Sequence, residues 1–176
     1  MKLGILTVSD KGSKGEREDL SGKLIAQMIE AELKVDFSEY KIVPDELQEI
    51  AGALIVFADV KNCQLIVTTG GTGLGLRDVT PEATLQVVDR IVPGIPERIR
   101  QLSMEKTPNA MLSRAVCGTR GKSLIINLPG SPQAVRECLE IVLPVMEHAL
   151  ELLEKGSLEC ASRRNQSETK KGGRDV

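Results

Sequence analysis

Residues 64–84 read QLIVTTGGTGLGLRDVTPEAT, and the reading of this stretch decides the fold. It begins as a continuous apolar run, the pattern of a strand covered on both faces. Four glycines, Gly70, Gly71, Gly73 and Gly75, then fall within six residues. Arg77 and Asp78 follow, and Thr80-Pro81 has the form of a helix start, with Thr80 as cap and Pro81 at the first helical position. Strand, glycine turn and helix in that order form the repeating unit of an α/β sheet.

The same alternation continues on both sides. KLGILTVS (2–9) reads as a first strand, followed by a polar loop and a helix carrying Leu20, Leu24, Ile25, Met28 and Ile29, capped by Asp19 or Ser21. VDFSEYKIV (35–43) reads as a less buried strand, and Pro44-Asp45-Glu46 opens a helix with Leu47, Ile50, Ala51, Leu54 and Ala58 on one face. Downstream, PGIPERIRQLS predicts a short helix, TPNAMLSR an irregular segment, and AVCGT and SLIINL two more strands. Residues 131–156 predict a long helix, with Ser131 as N-cap and a kink or split before Pro144. The pattern predicts a three-layer α/β sandwich: a mostly parallel central sheet with helices on both faces. One domain over 1–156 is expected, followed by a polar, disordered tail over 157–176.

Composition removes several function classes. A net charge of −2 and 2% aromatic residues argue against a nucleic-acid partner. No window approaches the roughly 18 apolar residues of a membrane span, and the N-terminal run is too short for a signal peptide. Cys63, Cys117, Cys138 and Cys160 are widely spaced and His148 is the sole histidine, which disfavours a zinc site, a disulfide framework and histidine-based nucleophilic catalysis. A reducing cytoplasm is the expected compartment.

In an α/β sheet, ligands bind beyond the carboxyl ends of the strands. The first strand ends in Ser9-Asp10, the second in Pro44-Asp45, the third in the glycine turn and Asp78, and SLIINL in Pro129-Gly130-Ser131-Pro132. The turn matches neither a Walker A loop, because Leu76-Arg77 replaces Lys-Ser/Thr, nor a G-x-G-x-x-G fingerprint. The physics of such turns nevertheless holds, since glycines let backbone N–H groups approach a phosphate. On local grounds Asp45 reads equally well as an acid stabilising a helix start, and Asp10 as a turn residue. Asp78 lies outside the Thr80 cap and has less structural reason to be acidic. Carboxylates beside a phosphate cradle imply a divalent cation, and Mg²⁺ suits a few carboxylates, waters and nucleotide phosphates. Residues alone thus point to a Mg²⁺-dependent enzyme acting on a phosphate-bearing small molecule.

TVSD, DLSG, VPDE, TTGGTGLGLRDVTPEAT, PNAMLSRAVCGTRGKSLIINLPGSP and EHALELL occur in an order that resembles the molybdopterin adenylyltransferases of molybdenum-cofactor biosynthesis, and the matching domain of gephyrin, over about residues 3–154. The resemblance implies that family's fold and its reaction: adenylyl transfer from ATP to molybdopterin, with Mg²⁺, releasing pyrophosphate. It implies catalytic and metal-binding roles for Asp45 and Asp78. It places Ser9, Asp10, Gly70, Gly71, Thr72 and Gly73 at the nucleotide, and Ser113, Arg114, Gly130 and Ser131 toward the pterin phosphate. A homotrimer and hand-off to a separate molybdenum insertase are further expectations. The alternatives are a molybdopterin-binding scaffold without turnover, and a nucleotide kinase, which would need the missing P-loop lysine.

Overall fold

The computed structural model describes the backbone of residues 1–169 and the side chains of residues 1–156. Its centre is a six-stranded sheet of order β2-β1-β3-β6-β5-β4. The strands are β1 (Lys2–Val8), β2 (Phe37–Val43), β3 (Leu65–Thr69), β4 (Arg90–Ile91), β5 (Cys117–Arg120) and β6 (Ser123–Leu128). β2, β1, β3 and β6 are mutually parallel, while β5 and β4 extend the sheet antiparallel.

Alternation along the central strands splits the core into two layers. Leu3, Ile5, Leu65, Val67, Leu124 and Ile126 join Ile25 and Ile29 of α2 (Leu20–Glu32), Ile99 of α5 (Gly94–Met104), and Val135, Leu139 and Met146 of α6 (Pro132–Thr169). Leu6, Val8, Ile66 and Ile125 face Ile50 and Leu54 of α3 (Leu47–Ile55) and Ala83 and Val87 of α4 (Thr80–Val87). Both faces are covered, which is why β1, β3 and β6 read as unbroken apolar runs. β2 is an edge strand, mostly part-exposed, as its mixed sequence requires.

The strand order reverses beside β1. The chain leaves β1 for β2 on one side through α2, then returns to β3 on the other side through α3. Right-handed crossovers running in opposite directions must use opposite faces, and α2 and α3 do lie on opposite faces. The crevice between the ends of β1 and β3 is therefore a topological switch point, where ligands enter such sheets.

Several local expectations need correction. Thr80 does not cap α4. It is the first helical residue, Val79 holds the cap position, and the Thr80 hydroxyl instead donates to Gly70 O at 2.9 Å. Pro144 does not split the last helix, because α6 is a single element with Pro144 inside it; Val142 and Met146, on either side, are buried against the sheet. The loop after β1 contains a short helix, α1 (Asp10–Ser13), and the segment before Ser113 holds a 3-10 turn, Pro108–Leu112. A π-helical turn, Val56–Val60, extends α3. The two-residue β4 is too short to show any period in sequence. Asp19 is confirmed as the cap of α2 and Ser131 of α6, through Gly22 N–H at 2.9 Å and Ala134 N–H at 3.3 Å. Of the tail expected from 157, the backbone is helical to Thr169, and residues 170–176 lie outside the described residues.

One buried polar cluster ties the layers together near the carboxyl ends. Asn127 Nδ2 donates to Thr68 Oγ1 (3.0 Å) and Thr84 Oγ1 (2.9 Å), and its Oδ1 accepts from Val116 N–H (3.2 Å). Leu at this position removes the acceptor of Val116 N–H and the donor to the two buried threonine hydroxyls, at about 1–3 kcal/mol for each group left unsatisfied. Asn127→Leu is expected to lower the urea midpoint clearly. An unchanged midpoint would mean the cluster contributes nothing to stability.

Candidate active site

The parallel register brings the strand ends level: Val8 pairs with Val43, Thr7 with Thr69, and Thr69 with Leu128. Each of the loops that follow therefore starts from one rim. Gly70 takes φ +97°, and a Cβ there would stand 2.3 Å from Val8 O. Gly71 takes φ +63°, with Thr80 Oγ1 2.4 Å and Asp45 Oδ1 3.2 Å from the place a Cβ would occupy. Neither position admits a side chain. The turn is held from both sides, as Gly70 N–H donates to Leu128 O (3.2 Å) and Thr80 N–H to Gly71 O (3.1 Å). The Pro129-Gly130 turn presses on it, with Thr69 Oγ1 donating to Pro129 O at 2.7 Å.

Asp78 folds back over the turn. Its Oδ2 accepts from Gly75 N–H at 2.8 Å, while its own N–H donates to Gly75 O at 2.9 Å. The Asp78 carboxylate also lies where Cβ atoms at Gly73 and Gly75 would go, at 2.9 and 2.8 Å, which accounts for these two glycines. Arg114 braces the loop from behind. Its N–H and Nε donate to Thr72 O (3.0 Å) and Gly73 O (2.7 Å), and its other nitrogens reach Asp78 O and pair with Glu82. Its guanidinium thus grips the loop carrying Asp78. Glu82 has a second, buried carboxylate oxygen with no partner among the described residues.

Asp45 and Asp10 clasp each other. Asp10 N–H donates to Asp45 Oδ2 (2.8 Å), and Asp45 N–H to Asp10 Oδ1 (3.1 Å). Asp45 makes no cap bond to α3, whose N-cap is Glu46; its carboxylate bonds to the Asp10 backbone instead. Burial, and then the neighbouring charges of Asp10 and Asp78, hold the Asp45 carboxyl above its ordinary value. Asp10 is held below its ordinary value, chiefly by its hydrogen bonds from Arg77. The negative charge around Asp45 is only partly offset, an arrangement suited to a cation.

Two cavities flank the paired turns. One of about 410 Å³ is lined by Ser9, Asp45, Gly70, Gly130 and Ser131 among others. The other, of about 290 Å³ and more apolar, is lined by Thr72, Gly73, Ser113, Asn127 and Cys138. The sequence-derived residues thus gather on one rim but divide differently from the expected grouping. Gly130 and Ser131 share a cavity with Ser9 and Asp45, and Ser113 shares one with Thr72 and Gly73. Asp10, Asp78 and Arg114 line neither. Among the described residues no group of three His, Cys, Asp or Glu side chains could hold a metal ion. Two residues were missed: Arg77, which bridges Asp10 and Glu46, and Glu82, the partner of Arg114. The signal for Arg77 was its place beside Asp78 in the glycine stretch; Glu82 gave none beyond a position in the first turn of α4.

A family model described as "Probable molybdopterin binding domain" matches residues 4–148. The chain belongs to the molybdopterin adenylyltransferase family of molybdenum-cofactor biosynthesis proteins. It is 48% identical over 153 residues to the molybdopterin adenylyltransferase of Helicobacter pylori J99, covering 86% of each chain. It is 42% identical to gephyrin of Dictyostelium discoideum over 86% of this chain and 22% of gephyrin. Among solved structures, the molybdopterin biosynthesis enzyme MoaB of Thermus thermophilus superposes with a TM-score of 0.79 and 50% identity, over 86% of this chain and 95% of that one. The α/β architecture is that of this family, and its part lies in molybdenum-cofactor biosynthesis. No helix among the described residues is long and apolar enough to cross a membrane.

The raised Asp45 carboxyl has a stability consequence. Below its unfolded value of 3.8 it is protonated in both states and costs nothing; above its raised folded value it is charged at a cost. Asp45→Asn is therefore expected to raise Tm at pH 7.5. The gain should shrink as pH falls toward 4. A loss of Tm at pH 7.5, or a gain that grows in acid, would contradict this assignment.

Proposed function

We propose that the protein transfers the adenylyl group of ATP to molybdopterin in a Mg²⁺-dependent reaction. The terminal phosphate of molybdopterin attacks the α-phosphorus of ATP; the bond from that phosphorus to the bridging oxygen of the β-phosphate breaks, and pyrophosphate leaves. The observation that carries this reading is the juxtaposition of a side-chain-free turn at Gly70 and Gly71 with the Asp45 carboxylate, at the switch point of the sheet. Backbone donors in such a turn suit phosphate oxygens. Phosphoryl chemistry asks mainly for positioning and charge stabilisation.

The donors present fit Mg²⁺. Asp45 Oδ1 and Asp78 Oδ1 accept no hydrogen bond among the described residues, while the second oxygen of each is fixed by a backbone N–H. Two hard carboxylate oxygens, completed by water and phosphate oxygens, are what Mg²⁺ takes. When bound, the ion supplies charge neutralisation at the phosphates. The chain itself supplies orientation: Arg114 and Gly75 set Asp78, and Asp10 sets Asp45. Gly70 to Gly73 receive the nucleotide, with Ser9 and Ser131 lining the adjoining cavity. Ser113 lines the apolar cavity, whose surface suits the pterin.

A binding protein without turnover is the second reading, supported by the description of the matching family model as a probable molybdopterin binding domain. Mass spectrometry of purified protein with molybdopterin, ATP and Mg²⁺ separates the two. Wild-type protein is expected to form adenylylated molybdopterin, and Asp78→Ala to lose at least roughly a hundredfold in rate with its fold intact. Unchanged molybdopterin bound to both proteins would favour the binding role. Wild-type turnover in Asp78→Ala would remove the role given to Asp78.

A further inference from the structure

Arg77 lies in the loop after β3 and ties that loop to two others. From the glycine stretch it donates Nε to Asp10 Oδ2 (3.2 Å) and Nη2 to Asp10 Oδ1 (2.8 Å), and its Nη1 to Glu46 Oε1 (2.6 Å). Asp10 follows β1, Glu46 follows β2, and Arg77 follows β3. The pair with Asp10 is a two-pronged fork, the geometry that fixes a carboxylate's orientation as well as its place. As a stabilising contact it counts for little, because Arg77 and Glu46 are both about half exposed. Its geometric effect is larger. Asp10 Oδ1, fixed by Arg77, is the atom that accepts the Asp45 N–H, and the Asp10 N–H holds Asp45 Oδ2.

We infer that Arg77 is a positioning residue. Its fork on Asp10 locks the reciprocal Asp10–Asp45 clasp and so keeps Asp45 Oδ1 turned toward Gly71. Because Arg77 immediately precedes Asp78, the same contact also fixes the spacing between the loops carrying Asp45 and Asp78. Asp10 is then a strut within the site, with both carboxylate oxygens already engaged by the protein. This inference rests on the proposed adenylyl transfer for its kinetic consequences, but the clasp itself is testable without any turnover.

The test begins with amide hydrogen exchange by NMR on the full-length protein without nucleotide. In Arg77→Ala the Asp10 and Asp45 amides are expected to exchange about tenfold faster or more, with β3 amides unchanged. Glu46→Gln, which removes only the charge of the other partner of Arg77, should leave both amides protected. In the adenylylation assay, Arg77→Ala should lower kcat roughly ten- to a hundredfold at an unaltered KM for ATP. Arg77→Lys should recover only part of this, since a point charge lacks the fork. The Arg77→Ala, Asp10→Ala double variant should be no slower than Asp10→Ala alone. Full protection of the Asp10 and Asp45 amides in Arg77→Ala overturns the inference. So does a rise in KM at constant kcat, which would make Arg77 a direct nucleotide ligand, or losses that multiply in the double variant. If wild-type protein forms no adenylylated product, the transfer reading fails, while the exchange result still decides whether Arg77 holds the clasp.

Discussion

The contact between Gly70 and the carbonyl of Val8 is the constraint on which the rim depends. β1 and β3 are paired in parallel with their ends level, so the chain leaving β3 must pass directly over the end of β1. With Val8 O only 2.3 Å from any Cβ, and φ at +97°, glycine is the residue that can make that passage. Gly71 continues the turn, and Thr80 closes it by bonding back to Gly70 O. Once the turn is fixed, the loops that carry Asp10, Asp45 and Gly130 have one surface to converge on.

Two arginines then divide the labour of holding the acids. Arg114 grips the loop of Asp78 through carbonyls and is itself neutralised by Glu82. Arg77 reaches the other way, to Asp10 and Glu46. The outcome is a rim with several carboxylates in which Asp10 is paired with a cation and Asp45 is not. Burial first, and the neighbouring charges of Asp10 and Asp78 after it, hold the Asp45 carboxyl above its ordinary value. Sites that hold charge in reserve for a ligand commonly cost the empty protein some stability. In the proposed reaction, the arriving cation and phosphates complete the charge balance that the protein leaves open.

The architecture was legible because β1, β3 and β6 must be apolar on both faces, and the helices between them repeat with a different period. The candidate residues were legible because each follows a strand. What the sequence concealed depends on tertiary partners. The Thr80 hydroxyl had two uses open to it, and the nearby Gly70 carbonyl outcompeted the helix N-terminus. Pro144 sits in a helix whose neighbouring turns are fastened to the sheet, and packing overrode the local break. Asp45 was open to a capping role, and its carboxylate instead bonds to Asp10, a contact made across 35 residues. Arg77 was in plain view but its partners lie on other loops, so no local pattern could assign it. The fold's two cavities likewise cut across the grouping that the motif order implied, because Gly130 and Ser131 follow β6, next to β3, and so meet Gly70 before they meet Ser113.

The most direct measurement is a crystal structure of the protein with Mg²⁺ and an ATP analogue whose α–β bridge cannot be cleaved. Phosphate oxygens are expected against the N–H groups of Gly71 to Gly73, with Asp45 Oδ1 and Asp78 Oδ1 facing the ion. A nucleotide bound away from this turn, with both carboxylates left as they are in the free protein, would contradict this placement.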